Sequence, residues 1–328
     1  MTLLSALRFN FGNDYPEYLE LFSLLTSEKF SLGIYGDPGW HILCRLFSPL
    51  GYESLIACVS FFLGYAYYKT VKRYVPSHLQ WLSMFIYVFD PNLWLLQQSM
   101  LRQSIVAAIF LLLLPLIDQK KILKCVFIIL LSSSIHISAL ILIPVLFLPL
   151  LGKDKHKLIA FLIVSFVIIA FLSSDFLGFW FKRAMQIPQL SKFDNYTINP
   201  EETSYGLGYL ISIIPYIVSL VFLYKKKLWI SNSNNALFIS ITFYLLAQVV
   251  NPFSKIAVMI TRLMTYFIPF SMIVIPHLYA KIKPKILRVQ LLAIFILLTL
   301  YIYYNFWGNP SSTYHHGYEN YRTIFSNF

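Results

Sequence analysis

Arg102 opens an apolar stretch that ends before Lys120, and Arg262 opens another that ends at Lys281. At 1.5 Å of rise per helical residue, each cation stands about 27–28 Å from the basic residue closing its stretch, so both reach one depth on the same side of a membrane. A guanidinium at a helix N-terminus adds its charge to free N–H groups and to the positive end of the helix dipole, a combination suited to phosphate. Arg8 and Arg45 fall on that same side. Arginine offers a rigid, permanently charged fork that grips phosphate or carboxylate at two points, which lysine does not. The plainer alternative is that these arginines snorkel to headgroups or anchor helix ends.

Proton chemistry would need a base near those cations. Asp14 lies in Gly12-Asn13-Asp14-Tyr15-Pro16 and Asp37 in Gly36-Asp37-Pro38-Gly39-Trp40, both turn-forming sequences. Each carboxylate either caps a helix or forms a turn, or acts as a general base in a partly dry site. His136 follows Ser132-Ser133-Ser134-Ile135 inside an apolar segment. An ionisable group there is a functional candidate, the alternative being an imidazole satisfied by the neighbouring serines. Tyr15, Tyr18, Trp40 and Trp180, with Arg183 beside the last, are placed to hold a sugar. Cys44, Cys58 and Cys125 have no metal-ligand spacing, and His315-His316 has no partner in sight, so no metal site and no cofactor is expected. No P-loop, dinucleotide fingerprint or carboxylate cluster is present.

The elements carrying these residues follow from solvation by lipid. Of the 328 residues 58% are hydrophobic and only 12% charged, far from the composition of a soluble domain. Apolar runs near 52–68, 79–95, 99–117, 124–151, 158–174, 206–224, 235–251, 261–280 and 287–306 predict membrane helices. Five basic clusters between them hold 16 Lys and Arg residues against two acids, Asp118 and Asp154, and mark the cytoplasmic side. Fourteen of those 16 are Lys, whereas six of the ten bases on the outer side are Arg.

Parity requires 124–151 to cross twice, because a single helix of that length would run about 42 Å while both ends are flanked by lysines. It is predicted to turn back near Ser132–His136, with His136 at membrane depth in a protein-lined or watery cavity. The expected fold is therefore all-α: a polytopic helix bundle of about 10–11 transmembrane segments, including the short hairpin at 124–151. Residues 1–328 form one transmembrane domain, with outer loops at 9–51 and 175–205, amphipathic interfacial helices in the first of them, and a mobile outer tail over 307–328. Residues 1–7 are apolar but too short to span, so a further crossing is expected upstream unless Met1 itself starts outside.

Taken together, Arg8 with Gly12-x-Asp14-Tyr15-x-x-Tyr18, Asp37-x-Gly39-Trp40, Arg102-Gln103 followed by Ala107, and His136-x-Ser138-Ala139 resemble the EpsG/Wzy-type polysaccharide polymerases of bacterial envelopes. The resemblance covers roughly residues 1–150, with Arg262 and Tyr266 as a further echo. This chain has Asp37-Pro38-Gly39-Trp40 where the family more often has Glu-x-Gly-Tyr.

The resemblance implies an inner-membrane enzyme whose periplasmic face joins undecaprenyl-pyrophosphate-linked oligosaccharide repeat units into O-antigen or a related surface polysaccharide. A chain-length regulator would be a possible partner, membrane lipids would surround it, and no nucleic acid is involved. In that role Arg8, Arg45, Arg102 and Arg262 bind pyrophosphate, and Asp14, Asp37 or His136 handles the proton. Two other classes fit part of the pattern: a flippase for the same lipid-linked oligosaccharide, and a membrane O-acyltransferase using His136.

Overall fold

The computed structural model describes residues 1–27, 37–148, 183, 235–250, 258–308, 317–318 and 320–326. In chain order the elements are α1 (Thr2–Ala6), β1 (Arg8–Phe9), α2 (Tyr15–Thr26), α3 (Pro38–Phe47), α4 (Tyr52–Tyr74), α5 (Gln80–Phe89), α6 (Trp94–Ser99), α7 (Leu101–Asp118) and α8 (Ile122–Ser133). A 3-10 stretch at Ile137–Ile141 follows, then α9 (Leu142–Val145), α10 (Asn235–Val250), α11 (Val258–Phe267), α12 (Ser271–Lys281), α13 (Lys285–Gly308) and β2 (Arg322–Thr323). The chain is an all-α membrane protein whose only strands, among the described residues, are the two-residue pair β1 and β2.

Among the described residues four helices are long and apolar enough to cross a membrane: Tyr52–Tyr74, Leu101–Asp118, Leu263–Lys281 and Lys285–Phe306. They coincide with four of the predicted spans. The spans at 158–174 and 206–224, and the outer loop 175–205 apart from Arg183, lie outside the described residues.

The segment predicted as one span at 79–95 is broken. α5 stops at Phe89, Asp90 is extended, and Asp90 Oδ1 accepts both the backbone N–H and the side-chain amide of Asn92. Pro91 accounts for the stop, since proline forces its predecessor out of the helical region and cannot donate to the helix ladder. The chain restarts as α6, which carries the buried polar run Gln97-Gln98-Ser99.

Two compact units divide the chain: Met1–Ile143 with Ser271–Phe328, and Pro144–Phe270. In the second, α10 packs on α11, with Phe243 against Phe267 and Phe270. In the first, α4 buries Leu55, Ile56, Val59, Leu63, Ala66, Tyr67, Thr70 and Val71, a helical three-to-four spacing that makes one inward stripe, and turns Phe61, Tyr65 and Tyr68 outward. Its closing lysines reach back one turn, Lys69 to Tyr65 Oη at 2.9 Å and Lys72 to Tyr68 Oη at 3.0 Å, keeping the charges off the apolar face. α7 packs against α4, and their shared core gathers Tyr15, Tyr18 and Phe22 of α2, Trp40 of α3 and Tyr52 of α4 itself. Burial of these aromatics supplies a rigid floor beneath the charged residues at the N-terminus of α7.

Residues 317–318 and 320–326 are not a mobile tail. β2 pairs antiparallel with β1, Arg8 opposite Thr323 and Phe9 opposite Arg322, and Tyr318 is buried. His315 and His316 lie outside the described residues.

Candidate active site

Asp37 heads α3, with Pro38 in the first turn, where proline costs no backbone hydrogen bond. Its carboxylate makes no capping bond. Instead Oδ2 accepts from Arg102 Nη1 at 2.5 Å and lies 3.4 Å from His136 Nδ1, while Oδ1 accepts the backbone N–H of Ile137 at 3.3 Å. Three donors from two distant parts of the chain converge on one acid.

The meeting is set by backbone contact between α3 and the end of α8. Gly39 donates its N–H to the Ser134 carbonyl at 2.7 Å, and a Cβ at position 39 would run into Ser134. α8 ends there because the hydroxyls of Ser132, Ser133 and Ser134 turn back onto the carbonyls of Ile128, Leu130 and Leu131. His136 is extended, and the helix breaks where the predicted turn lies. With the three serine hydroxyls engaged in their own helix, the imidazole faces Asp37.

Removal from water pushes the Asp37 carboxyl up, but His136, Arg102 and the Ile137 N–H together outweigh it and hold the group below its ordinary range. An ionised Asp37 can only accept, so Nδ1 of His136 carries the hydrogen and, in the neutral ring, Nε2 keeps the free lone pair. Arg102 is the second residue of α7. Besides Asp37 its guanidinium reaches Tyr18, with Nε 3.5 Å from Tyr18 Oη and the guanidinium carbon 5.5 Å from the ring centroid. Tyr18 is braced edge-on by Trp40. The cluster remains open on one side, as the Arg102 side chain is 29% and that of His136 19% exposed, against 8% for Asp37.

Arg8 occupies a different setting. It is 2% exposed, and its Nη1 donates to Gln98 Oε1 on α6. Nε and Nη2 of Arg8, and the hydroxyls of Tyr15 and Tyr52, have no hydrogen-bond partner among the described residues. Burial lowers the guanidinium from its ordinary value, while the nearby phenols of Tyr52, Tyr15, Tyr318 and Tyr321 pull the other way. Tyr52 also feels Tyr18 and Cys44, so the surroundings of Arg8 merge into the aromatic floor under Arg102.

The remaining candidates are placed as follows. Asp14 is the residue before α2, half-buried and without a side-chain capping bond. Arg45 is exposed on α3, with Nε 3.4 Å from the Leu25 carbonyl near the end of α2. Tyr15, Tyr18 and Trp40, expected to hold a sugar, are buried in the core beneath the charged cluster. Arg183 is exposed, and Trp180 lies outside the described residues. Arg262 does not open its helix: α11 begins at Val258, one turn earlier, and the Arg262 side chain lies outside the described residues. No group of three His, Cys, Asp or Glu able to hold a metal ion occurs among the described residues.

Sequence reasoning missed Gln98, Ser99 and Tyr318. Gln98 holds Arg8, and Ser99 Oγ accepts the N–H of Asn13 at 2.8 Å while meeting Tyr318 Oη at 2.5 Å. The available signal was three consecutive polar residues, Gln97-Gln98-Ser99, at the end of an apolar segment. Among known proteins, the model of the EpsG family matches residues 1–323. No curated protein and no solved structure matches the chain.

Proposed function

Because the chain belongs to the EpsG family, the family of Wzy-type polysaccharide polymerases, we propose that it joins undecaprenyl-pyrophosphate-linked oligosaccharide units into a surface polysaccharide at the outer face of a bacterial inner membrane. One observation carries the assignment of roles: a single carboxylate, Asp37, joins Arg102 to His136 at a partly open site.

In the reaction, a hydroxyl of the incoming lipid-linked unit attacks the anomeric carbon of the growing chain. The new C–O bond forms as the bond from that carbon to the lipid pyrophosphate breaks, and the pyrophosphate leaves with the electron pair. His136 takes the hydroxyl proton on Nε2. Asp37 orients the ring through Nδ1 and stabilises the imidazolium that forms. Arg102, fixed between Asp37 and Tyr18, faces the charge growing on the leaving group, in the manner of preorganised electrostatic stabilisation. Arg8 adds a second cation, whose two unmet nitrogen donors suit an anion rather than a neutral ligand.

An outer site is supported by the charge pattern, since the lysine clusters mark the opposite side, and by the pairing of residues 8–9 with 322–323, both expected outside. Purified protein in liposomes, given lipid-linked repeat units, should produce a ladder of longer glycans on lipid. Movement of the units across the bilayer with no lengthening would overturn the polymerase reading in favour of a flippase.

A further inference from the structure

Residues 7–13 lead from α1 past Arg8 to the turn before α2. Asn10 has φ +49 and Gly12 φ +114, both left-handed. Glycine enters this region freely and asparagine more readily than other residues, so the path the segment takes is chosen by the contacts around it. The contacts come from two directions. From α6, the Gln98 backbone stands where a Cβ on Gly12 would be, and Ser99 takes the Asn13 N–H. From 317–326, the Gly317 carbonyl accepts the Gly12 N–H at 2.7 Å, the Gly317 N–H donates to Asn13 Oδ1 at 3.0 Å, and the Ile324 N–H donates to the Leu7 carbonyl at 2.9 Å. A Cβ on Gly317 would collide with the Asn13 backbone.

Tyr318 links the two sides. Its hydroxyl donates to the Leu95 carbonyl at 3.0 Å, so at the 2.5 Å contact Ser99 Oγ must be the donor, and Ser99 in turn accepts from Asn13. The result is a directed chain from Asn13 N–H through Ser99 and Tyr318 to Leu95, with every donor used, and members of such a chain strengthen one another. The Tyr318 ring is wedged between Phe11 and Phe306, and Tyr321 packs on Phe11 while its hydroxyl donates to the Leu4 carbonyl.

We propose that residues 317–318 and 320–326 form a strap that, by holding the Gly12–Asp14 turn, sets the Arg8 guanidinium for the reaction, with Gly317 and Tyr318 as positioning residues. The role rests on the polymerase reading; the docking of the strap does not. Gly317→Ala forces the strap off Asn13, and Tyr318→Phe keeps the ring but cuts the hydroxyl chain, so the second variant tests the idea even if the first folds poorly.

Hydrogen exchange on the detergent-solubilised full chain comes first. In the wild type the amides of Gly12 and Ile324 should be protected together, and both variants should release them together. Fast exchange across 317–326 in the wild type overturns the strap whatever the protein's activity. Lengthening kinetics come second: kcat/KM should fall at least tenfold in Gly317→Ala and severalfold in Tyr318→Phe, and neither change should lower it further in an Arg8→Lys background, because both act through Arg8. Released amides with unchanged kcat/KM, or losses that multiply with Arg8→Lys, overturn the positioning role. A wild type that lengthens nothing overturns the polymerase reading instead, and the strap then stands or falls on the exchange result.

Discussion

Asp37→Asn is the sharpest perturbation of the site, because it changes one atom's chemistry and no shape. The carboxylate offers two oxygens to three donors, Arg102 Nη1 and His136 Nδ1 on Oδ2 and the Ile137 N–H on Oδ1. An asparagine brings one oxygen and one NH2. If the oxygen faces Arg102 and His136, the NH2 opposes the Ile137 N–H; if it faces Ile137, the NH2 opposes a guanidinium and can donate to Nδ1, placing the ring hydrogen on Nε2. Either arrangement leaves a donor facing a donor, at a cost of about 1–3 kcal/mol, and the second also removes the lone pair the reaction needs. Loss of an oriented base lowers a proton-transfer step by about 10²–10⁴-fold, or roughly 3–5 kcal/mol at the barrier. The assay is single-turnover lengthening of lipid-linked units in liposomes by Asp37→Asn, with Asp37→Glu beside it to restore the charge at a shifted position. Asp37→Asn should show the full loss and Asp37→Glu a partial one. Lengthening by Asp37→Asn within tenfold of the wild type would refute the coupling of Asp37 to His136 and with it the base assignment.

Gly39→Ala should separate α3 from α8, since the added methyl meets the Ser134 backbone, and should destabilise the chain by about 1–3 kcal/mol while abolishing lengthening; thermal unfolding and the same assay check both. Arg8→Met replaces a buried cation that has two unmet nitrogens with a flexible apolar side chain, so the thermal midpoint should hold or rise while lengthening falls by about 10²-fold or more, and undiminished lengthening would remove Arg8 from the anion-binding set. The folded-state pKa of Asp37 lies below its ordinary value of 3.8, so the stability it contributes is present above that value and is lost as pH falls through the folded one. The stability difference between wild type and Asp37→Asn should accordingly be constant above pH 3.8 and shrink below it, as measured by denaturant titration across pH.

Helix positions were written in composition: the runs at 52–68, 99–117 and 287–306 match α4, α7 and α13 because lipid imposes length and apolarity locally. Charge parity also located the break at Ser132–His136, since flanking lysines leave a long apolar run no other solution. The Asp90-Pro91-Asn92 break was equally present in the sequence, yet hydropathy averaging smoothed over it. Arg102 and His136 stood out as ionisable residues at or within apolar segments and Asp37 as an acid in a tight turn, but their convergence did not, because nothing local ties position 37 to positions 102 and 136. The same holds for Tyr318, one of 23 tyrosines, whose distinguishing feature is a partner more than 200 positions away.

α7 and the span within α13 differ in length, 18 residues against 22, which at helical rise is about 27 Å against about 33 Å. A bilayer that fits the shorter one is mismatched to the longer, which must tilt by about 35° or thicken the lipid around it to hide its apolar flank. Among the described residues none in the apolar stretch of α13 is fully buried, although Phe89 packs on Tyr303, so lipid meets much of that longer helix. Bilayer thickness thereby becomes a physical variable for this enzyme, as acyl chains of different length would change the inclination of the helix that leads toward Tyr318.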